Sequence, residues 1–257
     1  MLELRNINKY YNAGTVNEMC LFENFNLKIE KGEFVSVVGS NGSGKTTMLN
    51  LICGSIPLDS GDIFINETNI TKMAEYKRQR RIGRVYQNPA LGTSPNMTIL
   101  ENMALADNKG KPFNLLPGTN RSRIDFYRDQ LKILGLGLED KLNVKVGVLS
   151  GGQRQAMALL MSTMTPIEFL ILDEHTAALD PKTADIIMEL TNKIVREKEL
   201  TTIMVTHNLR FAVEYGNRLL MMHQGHAVLD KSAEEKACMA VEDILEVFNR
   251  ISIECGN

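Results

Sequence analysis

The stretch Gly39-Ser40-Asn41-Gly42-Ser43-Gly44-Lys45-Thr46-Thr47 is the most informative part of this 257-residue chain. It follows an apolar, β-branched run from Phe34 to Val38 and precedes a helical pattern from Met48 to Cys53. Glycine lets the backbone bend tightly and turn its N–H groups toward an anion, and the following helix adds the positive end of its dipole. This order of strand, glycine loop and helix predicts a phosphate-binding loop in an α/β fold.

Two side chains of this loop have defined chemical uses. Lys45 can reach the β- and γ-phosphates of a nucleotide, and the Thr46 hydroxyl can ligate Mg²⁺. A glycine-rich turn without a ligand is the ordinary alternative. That alternative does not require a lysine and a threonine in this register, so the sequence favours a nucleotide site.

Composition narrows the class of protein. Hydrophobic residues make up 44% of the chain and charged residues 23%, which is typical of an ordinary globular core. The net charge of −2 gives no electrostatic argument for nucleic acid as a partner. Apolar runs are far shorter than the roughly twenty residues that span a bilayer, and the N-terminus lacks an apolar signal core. The four cysteines are scattered, which favours reduced thiols in the cytoplasm.

A second apolar strand carries candidate catalytic carboxylates at its end. The run from Phe169 to Leu172 is continuous and is followed by Asp173 and Glu174. Strands buried on both faces are typical of parallel sheets, whose ligands bind at the carboxyl ends of the strands. Asp173 can hold Mg²⁺ there, directly or through water, and Glu174 can orient or deprotonate an attacking water. His207 ends a later strand, Thr201 to Thr206, where it could contact a γ-phosphate.

Helical patterns occupy the part of the chain between these strands. Periodicity predicts helices from Thr98 to Ala106 and from Ser122 to Leu134, separated by a polar loop at 107–119. A further helix is expected to begin at Ser150, an N-cap residue followed by two glycines. We therefore expect a helical subdomain, at about 88–160, inserted into an α/β core.

Two helical segments outside this block are also expected. Met73 to Arg81 is a polar helix whose basic residues are predicted to form a solvated face. Ser232 to Asn249 is predicted as one terminal amphipathic helix, within a C-terminal segment at about 231–257.

Six motifs follow one another in a fixed order along the chain. They are the phosphate loop, Gln87, Leu149-Ser150-Gly151-Gly152-Gln153, Leu172-Asp173-Glu174, Leu179-Asp180 and His207. Together they resemble the ATP-binding subunit of an ABC transporter, over about Leu2 to Asp230. The resemblance implies one ABC ATPase domain over 1–257: a P-loop core with a mostly parallel sheet, an N-terminal antiparallel β subdomain and the inserted helical subdomain.

The resemblance also implies roles for individual residues. Gly39 to Thr47 corresponds to the ATP-binding Walker A loop, and Gln87 to a residue that ligates Mg²⁺ and senses the membrane partner. Asp173 corresponds to a metal ligand, Glu174 to the general base and His207 to the residue that touches the γ-phosphate. Tyr11 lies where the family places an aromatic residue that stacks on adenine, with Tyr10 as the other candidate.

Partners follow from the same resemblance. The signature Leu149 to Gln153 is expected to bind the ATP of a second copy, so that two subunits meet head to tail with two ATP molecules between them. Asp180 lies in the loop that couples the two sites. Separate permease subunits, docking on the segment from Pro89 to Leu105, are expected at the inner face of the cell membrane, and a substrate-binding protein fits an import system.

Two positions depart from the family pattern. His175 stands where the family usually has proline, and Ala177 stands where the coupling loop usually has serine. Because Glu174 is retained, we expect hydrolysis to survive, whereas Ala177 removes one hydrogen bond across the dimer.

Two other functions fit the sequence less well than a transporter ATPase. A soluble ABC ATPase in repair, translation or cluster assembly usually carries a coiled-coil arm, a second ATPase half or a Cys-rich domain, and the sequence shows no such segment. A module that only binds ATP is disfavoured by the presence of both Glu174 and His207. The transported substrate cannot be inferred at this level, because such subunits do not touch it.

Overall fold

A computed structural model describes residues 1–112 and 117–254 of the chain, which form two compact units. The first unit comprises the described residues of the ranges 1–79 and 199–254, and the second comprises those of the range 80–198. Part of the predicted polar loop, residues 113–116, lies outside the described residues, and so does Cys255. Within the described ranges, no helix is both long enough and apolar enough to cross a membrane.

The strands of the described residues differ widely in length, from the two residues of β5 to the eleven of β2. In chain order they are β1 (Leu2–Tyr11), β2 (Met19–Ile29), β3 (Phe34–Gly39), β4 (Ser60–Ile65), β5 (Thr68–Asn69), β6 (Ile82–Val85), β7 (Phe169–Asp173), β8 (Thr202–Val205), β9 (Arg218–His223) and β10 (His226–Lys231).

The α-helices of the same residues alternate with these strands along much of the chain. They are α1 (Lys45–Cys53), α2 (Glu75–Arg78), α3 (Ile99–Asp107), α4 (Ile124–Lys132), α5 (Gly151–Ser162), α6 (Pro181–Glu197), α7 (Leu209–Glu214), α8 (Ala233–Ala237) and α9 (Val241–Glu254).

The first unit contains an antiparallel sheet with the strand order β2-β1-β4-β5. Leu2, Leu4 and Ile7 of β1 are at most 1% exposed, because alternate residues of a strand point to the same face. The strand pairing shifts register between Leu4 and Ile7, where Asn6 takes a φ of 49°. This bulge brings Ile7, rather than Asn6, onto the buried face.

The first unit also contains a set of parallel strands centred on β3. β8 and β9 both pair with β3 in parallel, and β10 pairs with β9 in the antiparallel direction. All six residues of β3 are buried, as expected for a parallel strand covered on both faces. Val38 of β3, Ala212 of α7 and Ile244 of α9 belong to one buried apolar cluster, so both helices pack on this sheet.

The second unit is built on a parallel pair, β6 and β7, with helices α3 to α6 around it. Ile82 to Val85 align with Phe169 to Leu172 without a break in register. The Ser162 hydroxyl of α5 donates a hydrogen bond to the Arg84 carbonyl at 3.0 Å, which ties the end of that helix to β6. The predicted strand from Phe169 and the predicted helix beginning at Ser150 are therefore confirmed.

Two predicted helices differ from the structure. The single helix expected from Ser232 to Asn249 was wrong: it is two helices, α8 and α9, because the Asp243 carboxylate accepts the Ala240 N–H at 2.7 Å and starts a new helix there. The helix expected from Met73 to Arg81 shortens to α2, and its Arg78 is 5% exposed rather than solvated. The basic cluster is thus not a uniformly solvated face.

Candidate nucleotide site

The glycine loop connects β3 to α1 by a backbone path that requires glycine. A Cβ on Gly39 would lie 2.2 Å from the Met222 carbonyl oxygen of the adjacent β9, so only glycine fits the close approach. Gly44 is the residue before α1 and has a φ of 99°, in the left-handed region. The N–H groups of the first turn of α1, which a helix leaves without partners inside the helix, therefore point toward the loop.

Lys45 lies inside this loop. Its Nζ donates hydrogen bonds to the Gly39 carbonyl at 2.7 Å and the Ser40 carbonyl at 2.9 Å, and it lies 3.3 Å from the Ser43 hydroxyl. The residue is only 5% exposed. A lysine ammonium held beside the N-terminus of α1 gives this loop a positive charge, which suits phosphate oxygens.

Tyr11, rather than Tyr10, lies against the phosphate loop. Its hydroxyl is hydrogen-bonded to the Thr47 hydroxyl at 3.3 Å, and the Lys9 ammonium lies 5.6 Å from the centre of its ring. Tyr10 is instead aligned with Cys20 of the neighbouring strand β2. Of the two candidates for stacking on adenine, the geometry favours Tyr11.

His207 follows β8, and the phosphate loop follows β3. Val37 and Val205 are aligned in the parallel pair that these strands form. The carboxyl ends of parallel strands meet at the same edge of a sheet, so His207 lies at the edge that carries the loop. The histidine is exposed at this edge.

The second unit has the same arrangement at the ends of β6 and β7. Val85 aligns with Leu172, which places Gln87 at the same edge as Asp173 and Glu174. Glu174 has a φ of 49°, and its carbonyl accepts the Ala177 N–H at 2.9 Å, which closes a turn. The carboxylate of Asp173 accepts a hydrogen bond from the Arg84 guanidinium, 2.7 Å from Nη2 to Oδ2.

The signature segment forms the beginning of α5. Ser150 is its N-cap: its hydroxyl accepts the Gln153 N–H at 3.2 Å, and the Gln153 side chain accepts the Ser150 N–H at 3.1 Å. This capping box leaves the Ser150 and Gly151 region exposed while engaging Gln153 in the helix. A Cβ on Gly152 would lie 2.3 Å from the Thr183 methyl group, so α5 and α6 approach closely there.

Asp180 is the N-cap of α6. Its carboxylate accepts the Thr183 N–H at 3.1 Å, and hydrogen bonds from Thr183 hold the pKa of Asp180 below its ordinary value. The carboxylate is therefore ionised at neutral pH and satisfies a donor of the first helical turn. The side chain is exposed on the surface of the second unit.

His175, next to Glu174, is buried inside the second unit. Its Nε2 lies 3.2 Å from the Thr191 hydroxyl, which itself donates to the Ile187 carbonyl at 2.7 Å. Because that hydroxyl proton is used, Nε2 of the histidine must be the donor in the first bond. Burial lowers the pKa of His175 to about 4, so the imidazole is neutral at physiological pH.

The donor types at the predicted metal position suit Mg²⁺. Thr46 supplies a hydroxyl, Gln87 an amide oxygen and Asp173 a carboxylate, all hard oxygen ligands. One protein carboxylate together with nucleotide phosphates is a common way to hold this ion. The sequence pattern did not single out Arg84, which contacts Asp173. The feature that could have identified it is a lone charged residue inside an otherwise apolar strand.

The chain belongs to the ABC transporter family, whose model matches residues 22–177. The predicted family and fold class are therefore confirmed. The chain binds ATP with Mg²⁺ and hydrolyses it, and it powers translocation by a membrane transporter built from several subunits. It works as a dimer and with membrane permease subunits.

Among its relatives, the chain is 50% identical over 248 residues to the tyrosine transport ATP-binding protein of Clostridioides difficile, covering 96% of this chain and 98% of the relative. It is 30% identical to the phosphonates import ATP-binding protein of Lactococcus lactis subsp. cremoris, covering 91% of this chain and 94% of the relative.

Solved structures have the same fold. A dimeric ATP-binding cassette in a post-hydrolysis state with ADP and Pi matches with a TM-score of 0.76 and 31% identity, over 91% of this chain and 99% of that chain. The ADP conformation of another ABC transporter cassette matches with a TM-score of 0.80, over 100% of this chain and 99% of that chain. At 23% identity, this second match concerns the fold alone.

Proposed function

We propose that the residues singled out by the sequence carry out ATP hydrolysis in this subunit. The residues Gly39 to Thr47 bind the phosphates, Tyr11 stacks on adenine, and Thr46, Gln87 and Asp173 hold Mg²⁺. Glu174 accepts a proton from the attacking water, and His207 contacts the γ-phosphate. The observation that carries this assignment is the Lys45 ammonium enclosed by the loop that ends β3.

In ATP hydrolysis, the protein mainly positions the reacting groups and stabilises charge. Bound Mg²⁺ neutralises charge on the phosphate oxygens, while Lys45 and the N–H groups of α1 position those oxygens. Glu174, at the end of a buried strand, orients water for attack and takes its proton. The exposed Ser150 and Gly151, at the start of α5, bind the ATP held by a second copy of the chain.

Replacing Glu174 tests this assignment. Glu174→Gln should still bind ATP, lose turnover by at least about a hundredfold because the general base is absent, and elute as a dimer when ATP is present. Phosphate release and size-exclusion chromatography measure both effects. Glu199→Gln is a matched control, because Glu199 is an exposed glutamate with the same φ of 49° and should keep full turnover. A monomeric Glu174→Gln with normal turnover would exclude Glu174 as the base.

We infer that the subunit serves an import system for tyrosine or a closely related amino acid. The support is the 50% identity, over nearly the full length of both chains, to a tyrosine transport ATP-binding protein.

A substrate-binding protein would deliver the amino acid from outside, and the subunit would lie at the inner face of the membrane. The segment from Pro89 to Leu105 would dock on the permease, and the 257 residues would act as a single cassette. Uptake measurements in cells that lack the subunit test the cargo.

A further inference from the structure

Arg84 forms an ion pair with the carboxylate that is proposed to ligate Mg²⁺. Its Nη2 lies 2.7 Å from Oδ2 of Asp173, and the two side chains are only 11% and 15% exposed. A charge-assisted contact with so little access to water is screened less by salt and solvent than a surface ion pair. The guanidinium therefore places a weakly screened positive charge beside Asp173, the proposed metal ligand.

The strand register explains why this arginine reaches that carboxylate. Arg84 of β6 aligns with Ile171 of β7, and residues two apart on a strand point to the same face. Asp173 thus follows Ile171 on the face that Arg84 shares, one repeat closer to the carboxyl edge. The long arginine side chain spans this offset.

Two further contacts hold Arg84 in place. The Tyr86 ring centre lies 4.6 Å from the guanidinium carbon, a distance at which the ring face attracts a cation. The Ser162 hydroxyl fixes the Arg84 backbone carbonyl at 3.0 Å. The backbone and the guanidinium of Arg84 are therefore both anchored beside Asp173.

The ion pair has two consequences for a metal. It engages Oδ2 of Asp173, so a metal would compete with Arg84 for the negative charge of this carboxylate. It also places a positive charge within a few ångströms of a divalent cation, and like charges at that separation repel strongly where solvent screening is weak.

We propose that Arg84 is a positioning residue that weakens Mg²⁺ binding by competing for the carboxylate of Asp173. This inference rests on the proposed role of Asp173 as a metal ligand. The pair keeps the carboxylate neutralised when no metal is bound, and it sets a higher Mg²⁺ concentration for loading of the site. It also favours release of the metal once the nucleotide charge has decreased after hydrolysis.

Metal affinity in the absence of turnover tests the proposal. In a Glu174→Gln background saturated with ATP, Mn²⁺ is titrated and the free ion is followed by electron paramagnetic resonance, with ATP alone as the blank. Arg84→Gln removes the charge but retains a hydrogen-bond donor, and it should tighten Mn²⁺ binding by about tenfold. Arg84→Lys retains the charge and should stay within about twofold of the background protein.

The chain offers a matched control in the same pair of strands. Arg81 and Glu168 form a similar ion pair next to the amino-terminal ends of β6 and β7, away from the carboxyl edge. Arg81→Gln should leave the Mn²⁺ affinity unchanged within about twofold. An equal effect of Arg81→Gln and Arg84→Gln would overturn the proposal, since a general loss of packing would then explain both.

A further variant separates this proposal from the one on which it rests. Asp173→Asn should weaken Mn²⁺ binding by more than about tenfold if Asp173 is a ligand. If it does so while Arg84→Gln binds Mn²⁺ as the background protein does, only the role of Arg84 is overturned. If Asp173→Asn has no effect, the metal assignment itself fails. Arg84→Met, which packs on Tyr86, replaces Arg84→Gln should the latter melt at a lower temperature than the background protein.

Discussion

His175 forms a buried hydrogen bond at a position where the family usually has proline. Its imidazole is 2% exposed and donates from Nε2 to the Thr191 hydroxyl. That hydroxyl in turn donates a hydrogen bond to the Ile187 carbonyl of α6. The chain is thereby tied to α6 directly after Glu174. A proline at this position could not make that bond, so the histidine adds a polar link in place of a rigid ring.

Burial of His175 predicts a loss of stability in mild acid. Its pKa is about 4 in the folded protein and near 6.5 when unfolded, so the unfolded chain binds more protons between these values. Stability therefore falls as pH drops from about 6.5 towards 4, by about 1.6 kcal/mol between pH 6.5 and pH 5. Urea unfolding at the two pH values, followed by circular dichroism, measures this loss.

His175→Gln should remove that part of the pH dependence, because glutamine does not titrate in this range. His226→Gln changes an exposed imidazole on β10 and should leave the pH dependence as in the wild-type protein. An identical loss between pH 6.5 and pH 5 in wild type and His175→Gln would contradict the prediction.

Glu174 is the other residue whose local conformation is informative. A φ of 49° is uncommon for glutamate and costs some free energy, which the surrounding turn must supply. The hydrogen bond from Ala177 to its carbonyl does so at 2.9 Å. Such a conformation next to a strand end is consistent with a side chain held in a working orientation.

At the scale of elements, Arg78 explains how the short helix α2 is attached to α1. Its guanidinium donates to the carbonyls of Leu51 and Ile52 in the last turn of α1, and to those of Thr71 and Met73. The last carbonyls of a helix have no partner within the helix itself. Arg78 satisfies two of them, and burial lowers its pKa without removing its charge at neutral pH.

Removing this arginine should destabilise the first unit. Arg78→Met leaves buried carbonyl groups without their donor, and we expect the free energy of unfolding to fall by about 3 kcal/mol. Lys77→Met changes a neighbouring exposed residue on the same helix and should alter it by less than about 0.5 kcal/mol. Chemical denaturation of both variants measures the difference, and equal stabilities would show that Arg78 contributes no more than a surface charge.

The C-terminal segment is also organised by elements. The Lys236 ammonium of α8 donates to the carbonyls of Tyr215 and Gly216, which precede β9, and burial lowers the pKa of this lysine to about 8. Ile244 of α9 lies in the apolar cluster that includes Val38 of β3. Within the first unit, α8 is therefore attached through hydrogen bonds and α9 through apolar packing.

At the scale of the whole molecule, the two units contain different parts of the proposed site. The first contains the phosphate loop, Tyr11 and His207. The second contains Gln87, Asp173 with Glu174, and the signature segment at the start of α5. Apart from Tyr11, which ends the antiparallel strand β1, each set lies at the carboxyl edge of parallel strands or at a helix start, where backbone geometry leaves polar groups available.

Transport is the whole-molecule property that the proposed cargo predicts. Cells that lack the subunit should lose most uptake of radiolabelled tyrosine, by about tenfold or more, and the wild-type chain should restore it. Lys45→Ala should fail to restore uptake although the protein is present, because the loop loses its cation for phosphate. Uptake of spermidine serves as the control and should not change. Unaltered tyrosine uptake in these cells would contradict the proposed cargo.

Local sequence motifs were enough to predict the class of the protein, the parallel core and the identity of most candidate site residues. Their spacing reflects local backbone requirements, as in the glycine loop and the acidic strand end. The contact of Tyr11 with Thr47, the burial of Arg78 and the pairing of Arg84 with Asp173 required the three-dimensional structure. The last pair joins residues 89 positions apart, and their contact depends on the register of β6 against β7. Such a register is set by packing and hydrogen bonding across the sheet, which no local pattern specifies.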